Sequence, residues 1–318
     1  MIKAGILGSH EKTDEYLSLL NTMNTFKLIG IHDLDDKRVM DVNKRHGLKI
    51  FTHPDELVQE VDALFAAPGF NSYENLRNAL RKSKHVFIDP PLNYNNQETR
   101  NLISLSDEAD VVVHIGFSHR YNPAFLAARP FISPQVRMIH AHSMKQYVEE
   151  NKSIHPVNDI MIHDIDNILS VVNAEIKKIS AYGMSTSNAS PDVVNAIIEF
   201  HNGCIANLTA SKISSTDLKQ IIFYNPENYV EIDMLKHKAY RYSKNRDADM
   251  PLFSENINDL VKECIPVKNA NEIEDEFSAF SNSILEMKSP EISLENTGQT
   301  MQVIQEINSK IKLTSNCS

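Results

Sequence analysis

The segment Asp159-Ile-Met-Ile-His163-Asp164-Ile-Asp166 carries the densest set of groups able to move a proton. Wound as a helix at about 100° per residue, it brings Asp159, His163, Asp166 and Ser170 onto one polar stripe. Met161, Ile165, Ile168, Leu169 and Val172 fall on the opposite side. A carboxylate one turn from an imidazole holds its tautomer and raises its basicity. His163 in that position suits a general base that accepts an alcohol proton as hydride leaves the adjoining carbon, with Asp159 orienting the ring. Two plainer readings compete: a solvated helix face, or metal binding by His163 with His155 or by His140 with His142. No histidine arrangement has zinc spacing, so no metal is expected.

Two further groups stand at the ends of short apolar runs. His119-Arg120-Tyr121-Asn122-Pro123 follows the run Val111 to Phe117. Arg120, Tyr121 and Asn122 there, with Asp166 on the helix stripe, are suited to hold a hydroxylated or anionic substrate. A domain hinge tied down by hydrogen bonds would use the same residue types. Near the N-terminus, Gly8-Ser9-His10-Glu11-Lys12-Thr13 sits between a strand-like run and a helix. A dinucleotide fingerprint would want glycine at 8, 10 and 13, and only Gly8 is present. His10 puts a Cβ where a pyrophosphate would approach, while His10 or Lys12 could supply compensating charge. Asp33 ends the next run; an acidic residue there accepts hydrogen bonds from ribose hydroxyls and repels a 2′-phosphate, favouring NAD over NADP. A helix N-cap or turn aspartate is the competing role for Asp33, with Asp35 and Asp36 close by.

The elements that must position these groups fall into two textures. Ile2 to Leu7, Lys27 to His32, Ala63 to Ala67, His85 to Asp89 and Val111 to Phe117 are short apolar runs, separated by helical patterns such as Tyr73 to Ser83 and Asn96 to Ala109. That alternation predicts a doubly wound parallel sheet with a ligand crevice at the carboxyl ends of its strands. Beyond about Asn122, the runs Val136 to Met144, Lys177 to Ser185, Asp192 to Phe200, Gly203 to Ser211, Lys219 to Asn225 and Tyr229 to Asp233 read as strands. Turns at His201-Asn202-Gly203 and at 225–228 make this sheet mainly antiparallel. Helices are expected at Asp159 to Val172, Asn271 to Lys288 and Leu294 to Lys312, and an exposed polar loop at Ser243 to Asp249. The fold class is therefore α/β: a Rossmann domain over residues 1–120, an α+β domain with a large open sheet over 121–293, and a C-terminal helix, 294–318, returning to the first domain.

Composition narrows the partners. The 318 residues include 42 acidic against 32 basic side chains, a net charge of −10, which argues against nucleic acid as the main partner. No apolar stretch has the length of a membrane helix, and Met1-Ile2-Lys3 runs into a strand without a signal-peptide layout, so a cytoplasmic protein is expected. Cys204, Cys264 and Cys317 are odd in number and far apart, which fits reduced thiols. The glycosylation patterns at Asn188 and Asn207 carry no weight without secretion. Nine glycines are few for this length, and Gly5, Gly8, Gly116, Gly203 and Gly298 stand in scaffold motifs, so the shortage falls on the phosphate loop.

Taken together and in order, Ile2 to Gly8, Lys84 to Leu92, Gly116 to Pro123, Asp159 to Asp166, Asn202 to Ser211 and Ile292 to Gly298 resemble the Gfo/Idh/MocA family of NAD(P)-dependent oxidoreductases. The resemblance covers essentially the whole chain. It implies a cofactor site formed by Gly8, Ser9, His10, Asp33, Pro68, Asp89 and Pro90, and it matches the family's substrate-side aspartate and histidine to Asp159 and His163. The family's Glu-Lys-Pro motif falls on Asp89-Pro90-Pro91, so its lysine is a proline with no side-chain donor. His10 and Thr13 replace two fingerprint glycines, and Ser72 replaces a family histidine. Two functions follow. One is an oxidoreductase of a sugar or nucleotide sugar, using NAD rather than NADP. The other is a catalytically degenerate relative that binds a sugar-like ligand or a partner subunit, with no dinucleotide required. The open sheet needs a cover, so a homodimer or homotetramer is expected.

Overall fold

The computed structural model describes residues 1–10, 12–68, 70–92, 94–149, 153–186, 190–244 and 260–313. Cys317, Asn188, residues 245–249 of the expected polar loop, Glu11 and Gly69 lie outside the described residues. The chain divides into two compact units: Met1–Ser118 with Ile273–Gly298, and His119–Glu272 with Gln299–Ser318.

The first unit is built on six parallel strands: β1 (Ile2–Leu7), β2 (Phe26–His32), β3 (Lys49–Ile50), β4 (Ala63–Ala66), β5 (His85–Ile88) and β6 (Val113–Ile115). Their order is β3-β2-β1-β4-β5-β6. Helices α1 (Thr13–Thr22), α2 (Asp36–His46), α3 (Pro54–Glu60), α4 (Tyr73–Arg81) and α5 (Asn96–Ala109) make the crossovers. All four residues of β4 are buried, as expected of a strand covered on both faces. Strand order reverses between β1 and β4, so the crevice opens over Leu7-Gly8 and Ala66-Ala67, where the Ala67 N–H donates to the Leu7 carbonyl at 2.9 Å. This is the expected Rossmann sheet, with the two-residue β3 added at its edge.

The second unit forms a sheet from α6 (Pro123–Ala128) onward: β7 (Met138–Gln146), helix α7 (Ile162–Leu169), β8 (Ile176–Met184), β9 (Val193–Phe200), β10 (Ile205–Ser214), β11 (Leu218–Tyr224), β12 (Asn228–Asp233), β13 (Lys238–Lys244) and β14 (Leu260–Ile265). After α8 (Glu272–Glu286) and α9 (Leu294–Lys310), β15 (Lys312–Leu313) joins the far edge, giving β14-β13-β12-β11-β7-β10-β9-β8-β15 among the described residues. The pairings are mainly antiparallel. β7 with β10 and β8 with β15 are the parallel ones. The turn at Asn202-Gly203 is the expected β9–β10 hairpin, with Gly203 at φ +85°. Burial alternates strictly along β9 and β11: one face carries Val194, Ala196, Ile198, Ile221 and Phe223, and the other is half-exposed. That second face carries His140, Tyr224, Tyr229 and Tyr242 in successive ring contacts. Cys204 is buried and Cys264 exposed, both as free thiols. Among the described residues no helix is long and apolar enough to cross a membrane.

The return of the chain to the first unit differs from the expected one. It begins at Ile273, on α8, and not on the final helix. The reason is aromatic packing: Phe277 and Phe280 are fully buried against Phe65 and Phe87, with ring centroids 5.0–5.7 Å apart. Glu276, one residue before Phe277, meets His114 at 3.3 Å in the same interior. Phe277→Ala is expected to cost about 3–5 kcal/mol in urea unfolding of the whole chain; a loss under about 1 kcal/mol would mean that α8 is not part of this core.

Candidate functional site

In the first unit the phosphate loop leaves β1 at Gly8. Its φ of +82°, and the Phe70 ring packed where a Cβ would stand, admit only glycine there. Ser9 Oγ donates to Asp33, which also accepts the Asp35 N–H at 2.9 Å. The cap of α2 is Asp35, through the N–H groups of Lys37 and Arg38. Asp33 is therefore not the cap of α2; through the Asp35 N–H it makes the turn of the competing reading, beside the loop at the end of β2. Next to it, a cavity of about 400 Å³ is lined by Ser9, His10, Thr13, Asp14, Arg38 and Arg45. Both arginines are paired within it, Arg38 with Asp35 at 3.3 Å and Arg45 with Asp14 at 3.0 Å.

His10 does not extend toward solvent. Its Nε2 lies 3.2 Å from Asp89 Oδ2, while Tyr16 Oη donates to Asp89 Oδ1 at 2.7 Å. Burial and the facing Asp89 carboxylate push the Tyr16 phenol well above its ordinary range, so it stays a donor. Gly116 makes room for this carboxylate, since a Cβ there would come within 2.8 Å of Asp89 Oδ1. The Asp89 and Pro91 carbonyls are held by the Asn71 amide at 2.8 and 3.0 Å. Ser72 caps α4 through the Asn75 N–H. Pro68 is exposed and Pro90 half-buried.

In the second unit the expected proton-transfer helix is wound in two ways. Pro156–Met161 is a π-helix, and the α-helical stretch begins only at Ile162. The wider winding alters the angular step on which the i, i+4 pairing rested. Asp159 is exposed, and its Oδ2 accepts the His155 N–H at 2.6 Å, in place of the expected contact with His163. His163 is half-exposed and packs edge-on to His119, with ring centroids 4.3 Å apart. His119 Nδ1 is in turn 3.1 Å from Glu272 Oε1. The structure therefore groups His163 with His119 and Glu272, two residues with no signal in the local pattern around position 163.

The expected substrate residues divide. Arg120 holds Asp166 in a two-pronged pair, Nε to Oδ2 at 2.5 Å and Nη2 to Oδ1 at 2.7 Å, and Thr300 Oγ1 donates to the same carboxylate at 3.3 Å. Asp166 is 1% exposed, so the solvated-face reading fails for it. Asn122 caps α6 with its Oδ1 and donates from Nδ2 to Glu272 and to the Met234 carbonyl, at 2% exposure. These are the tied-down hinge of the competing reading. Tyr121 remains half-exposed on the short 3₁₀ turn Ser118–Tyr121. Asp164, which sequence reasoning left without a role, is fully buried with Lys219 Nζ 4.0 Å away. Burial raises its pKa, against the opposing pull of Lys219, the Ser143 hydroxyl and His142.

A parallel Rossmann unit with a glycine turn and an acidic strand end, followed by a unit with an open sheet and an imidazole on its covering helix, is the architecture of the two-domain NAD-binding oxidoreductase families. Residues 2–117 match the family described as the oxidoreductase family with an NAD-binding Rossmann fold, and residues 133–228 match its C-terminal domain. The chain belongs to the Gfo/Idh/MocA family. It is 26% identical over 221 residues to UDP-N-acetylglucosamine 3-dehydrogenase of Acidithiobacillus ferrooxidans, covering 69% of this chain and 70% of that protein. The crystal structure of that dehydrogenase superposes with a TM-score of 0.89 at 20% identity, over 98% of this chain and 97% of that one. A 3-ketoreductase of Actinomadura kijaniata, in a mutant form complexed with TDP-benzene and NADP, superposes at 0.81 with 16% identity over 98% of both chains.

At the end of β2, where the family resemblance implies a ribose contact, Asp33 presents a carboxylate that takes one donor on each oxygen, Ser9 Oγ on Oδ2 and the Asp35 N–H on Oδ1. At the phosphate end the N–H groups of Gly8, His10, Lys12 and Thr13 already have partners within the chain.

Two outcomes follow from the buried charges. Arg120→Met strips Asp166 of its bidentate partner and is expected to lower unfolding stability by about 3–5 kcal/mol; a loss below about 1 kcal/mol in urea titration would show the pair to be dispensable. Asp164 has a folded pKa above its unfolded one, so its contribution is fully present below the ordinary carboxyl pKa and is lost as pH rises toward the folded value. Asp164→Asn should therefore raise the melting temperature at pH 7 and lose that advantage toward pH 3.5; equal melting temperatures across this range would refute the raised pKa.

Proposed function

We propose that the protein is an NAD-dependent oxidoreductase acting on a hydroxyl-bearing carbon of a sugar or nucleotide sugar. The observation that carries the reading is His163, half-exposed on the covering helix and backed by the Glu272–His119 pair, in a chain that matches the family in both domains. In the oxidative direction His163 takes the proton of the substrate hydroxyl. The carbinol carbon becomes a carbonyl as its hydride passes to the nicotinamide, which is the chemistry the cofactor supplies when bound. Glu272 orients His119, and His119 packs against the edge of the His163 ring, limiting its rotation. Asp159, exposed one turn earlier, is a partner for a neighbouring sugar hydroxyl. Tyr121 is the remaining substrate contact. Arg120, Asp166 and Asn122 act by holding the chain segments that carry these groups.

Asp33 supports NAD over NADP, because a 2′-phosphate beside it would meet like charge and the nearby Arg38 is engaged by Asp35. The relative acting on UDP-N-acetylglucosamine supports a nucleotide sugar as substrate class. Pro90 supplies no ammonium where the family resemblance puts one, and the loss of one polar catalytic group lowers rates by about 10²–10⁴, so turnover is slow. The same proline favours a second reading, a relative that holds a sugar-like ligand or a partner subunit without hydride transfer. The half-exposed sheet face, with its histidine and tyrosine row, supports a homodimer or homotetramer; a monomeric mass by light scattering would rule this out.

Titration of NADH and NADPH, followed by fluorescence and thermal stability, separates the readings. NADH should bind and NADPH should bind less well, and no response to either at millimolar concentration rules out the oxidoreductase. Asp33→Ala should weaken NADH about tenfold; unchanged affinity would refute the ribose contact. His163→Ala should lower turnover by about 10² or more at unchanged NADH affinity, and retained turnover would remove it from the acid/base role.

A further inference from the structure

The residues that replace the fingerprint glycines do more than take up space. A phosphate loop binds anions because backbone N–H groups at the start of α1 point outward without partners. Here three of them, and the Gly8 N–H before them, have partners within the chain. The His10 N–H donates to Thr13 Oγ1 at 2.7 Å, the Lys12 N–H to His10 Nδ1 at 3.4 Å, and the Thr13 N–H to the His10 carbonyl at 3.0 Å. The Gly8 N–H is spent on the His32 carbonyl at 2.8 Å. Two of these four acceptors are side-chain atoms of His10 and Thr13, which a glycine loop could not provide.

The His10 ring is also anchored at its far side. With Nδ1 turned to the Lys12 N–H, Nε2 is the nitrogen that faces Asp89, at 3.2 Å. Asp89 is itself held by Tyr16. In the order β1-β4-β5, a ring that starts after β1 and ends on a residue following β5 passes over the carboxyl end of β4. That is the strand-order reversal, where a pyrophosphate lies in this class of sheet.

We infer that His10 and Thr13 are built-in caps on the phosphate loop, which a pyrophosphate must displace, and that they set a weak affinity for the dinucleotide. This inference rests on the proposed cofactor site and adds to it the residues that tune its affinity. Removing a cap frees N–H groups for the ligand without adding any contact of its own. Thr13→Ala frees the His10 N–H at the first position of α1, where alanine suits the helix. His10→Gly frees the Lys12 N–H and opens the space over β4.

The test is the affinity of three probes, NADH, ADP-ribose and adenosine, for the full chain and the two variants, with folding checked by thermal unfolding. NADH and ADP-ribose should bind more tightly, by roughly threefold in Thr13→Ala and tenfold in His10→Gly, while adenosine, which has no phosphate, is unchanged. Unchanged or weaker ADP-ribose binding in either folded variant overturns the inference while the cofactor site stands. Should His10→Gly fail to fold, Thr13→Ala decides alone. Failure of wild type and variants alike to bind NADH or ADP-ribose at millimolar concentration removes the cofactor site, and the caps with it.

Discussion

A carboxylate taken out of water must find donors, and Asp89 finds them on two other segments of the first unit. Its Oδ1 accepts from Tyr16 on α1, its Oδ2 faces His10 on the loop before α1, and Gly116 beyond β6 leaves it the necessary space. The Asn71 amide fixes its carbonyl from the loop after β4. The loops after β1 and β4 are therefore tied to a single residue at the end of β5, and the loop after β6 makes room for it. The arrangement of the crevice, the capped state of the phosphate loop and the donor form of Tyr16 all depend on that charge being balanced where it is. Replacing it by an apolar group would leave His10 and Tyr16 with their donors unpaired.

What was legible in the sequence was whatever local pattern determines. Buried parallel strands read as continuous apolar runs, so Ala63 to Ala66 and His85 to Ile88 stood out, and Asn202-Gly203 announced its hairpin through the φ it must adopt. β3 did not, having two residues and both exposed. Nor did β13 and β14, whose half-exposed tyrosines and lysines lack the clean alternation of β9. The site was legible as a set of residues and not as a set of partners. Arg120 and Asp166 were both placed near the substrate, but nothing in a periodicity tells that two side chains 46 positions apart will satisfy each other. Asp159 and His163 were paired on the assumption of an even helical step, which the π-turn at Pro156–Met161 removes.

The departures from the family pattern have a common physical form. A glycine loop keeps its N–H groups available at the cost of backbone freedom in the unfolded chain. Side chains at the same positions reverse both effects: they stiffen the loop and satisfy it internally. His10 and Thr13 thus trade ligand contacts for contacts within the chain. Pro90 continues the trend at the end of β5, two strands away, by withdrawing a side-chain donor. The scaffold positions Gly8 and Gly116, where a Cβ would meet Phe70 or Asp89, keep their glycines. Selective loss at one end of the crevice, with retention of everything that shapes it, is what a change in ligand affinity requires and a change in fold does not.

The placement of α8 has a consequence for the order in which the protein can be made. Phe277 and Phe280 complete the aromatic interior formed by Phe26, Phe65 and Phe87, yet the whole of the second sheet except its last strand is translated between them. A nascent chain that has emerged only as far as Ser118 has all six parallel strands and an open apolar trough on one face. That trough persists while β7 to β14 are synthesised, and it closes only when the segment Ile273–Gly298 arrives. The first unit is therefore begun early and completed only near the end of the chain, and through most of translation it depends on avoiding other apolar surfaces.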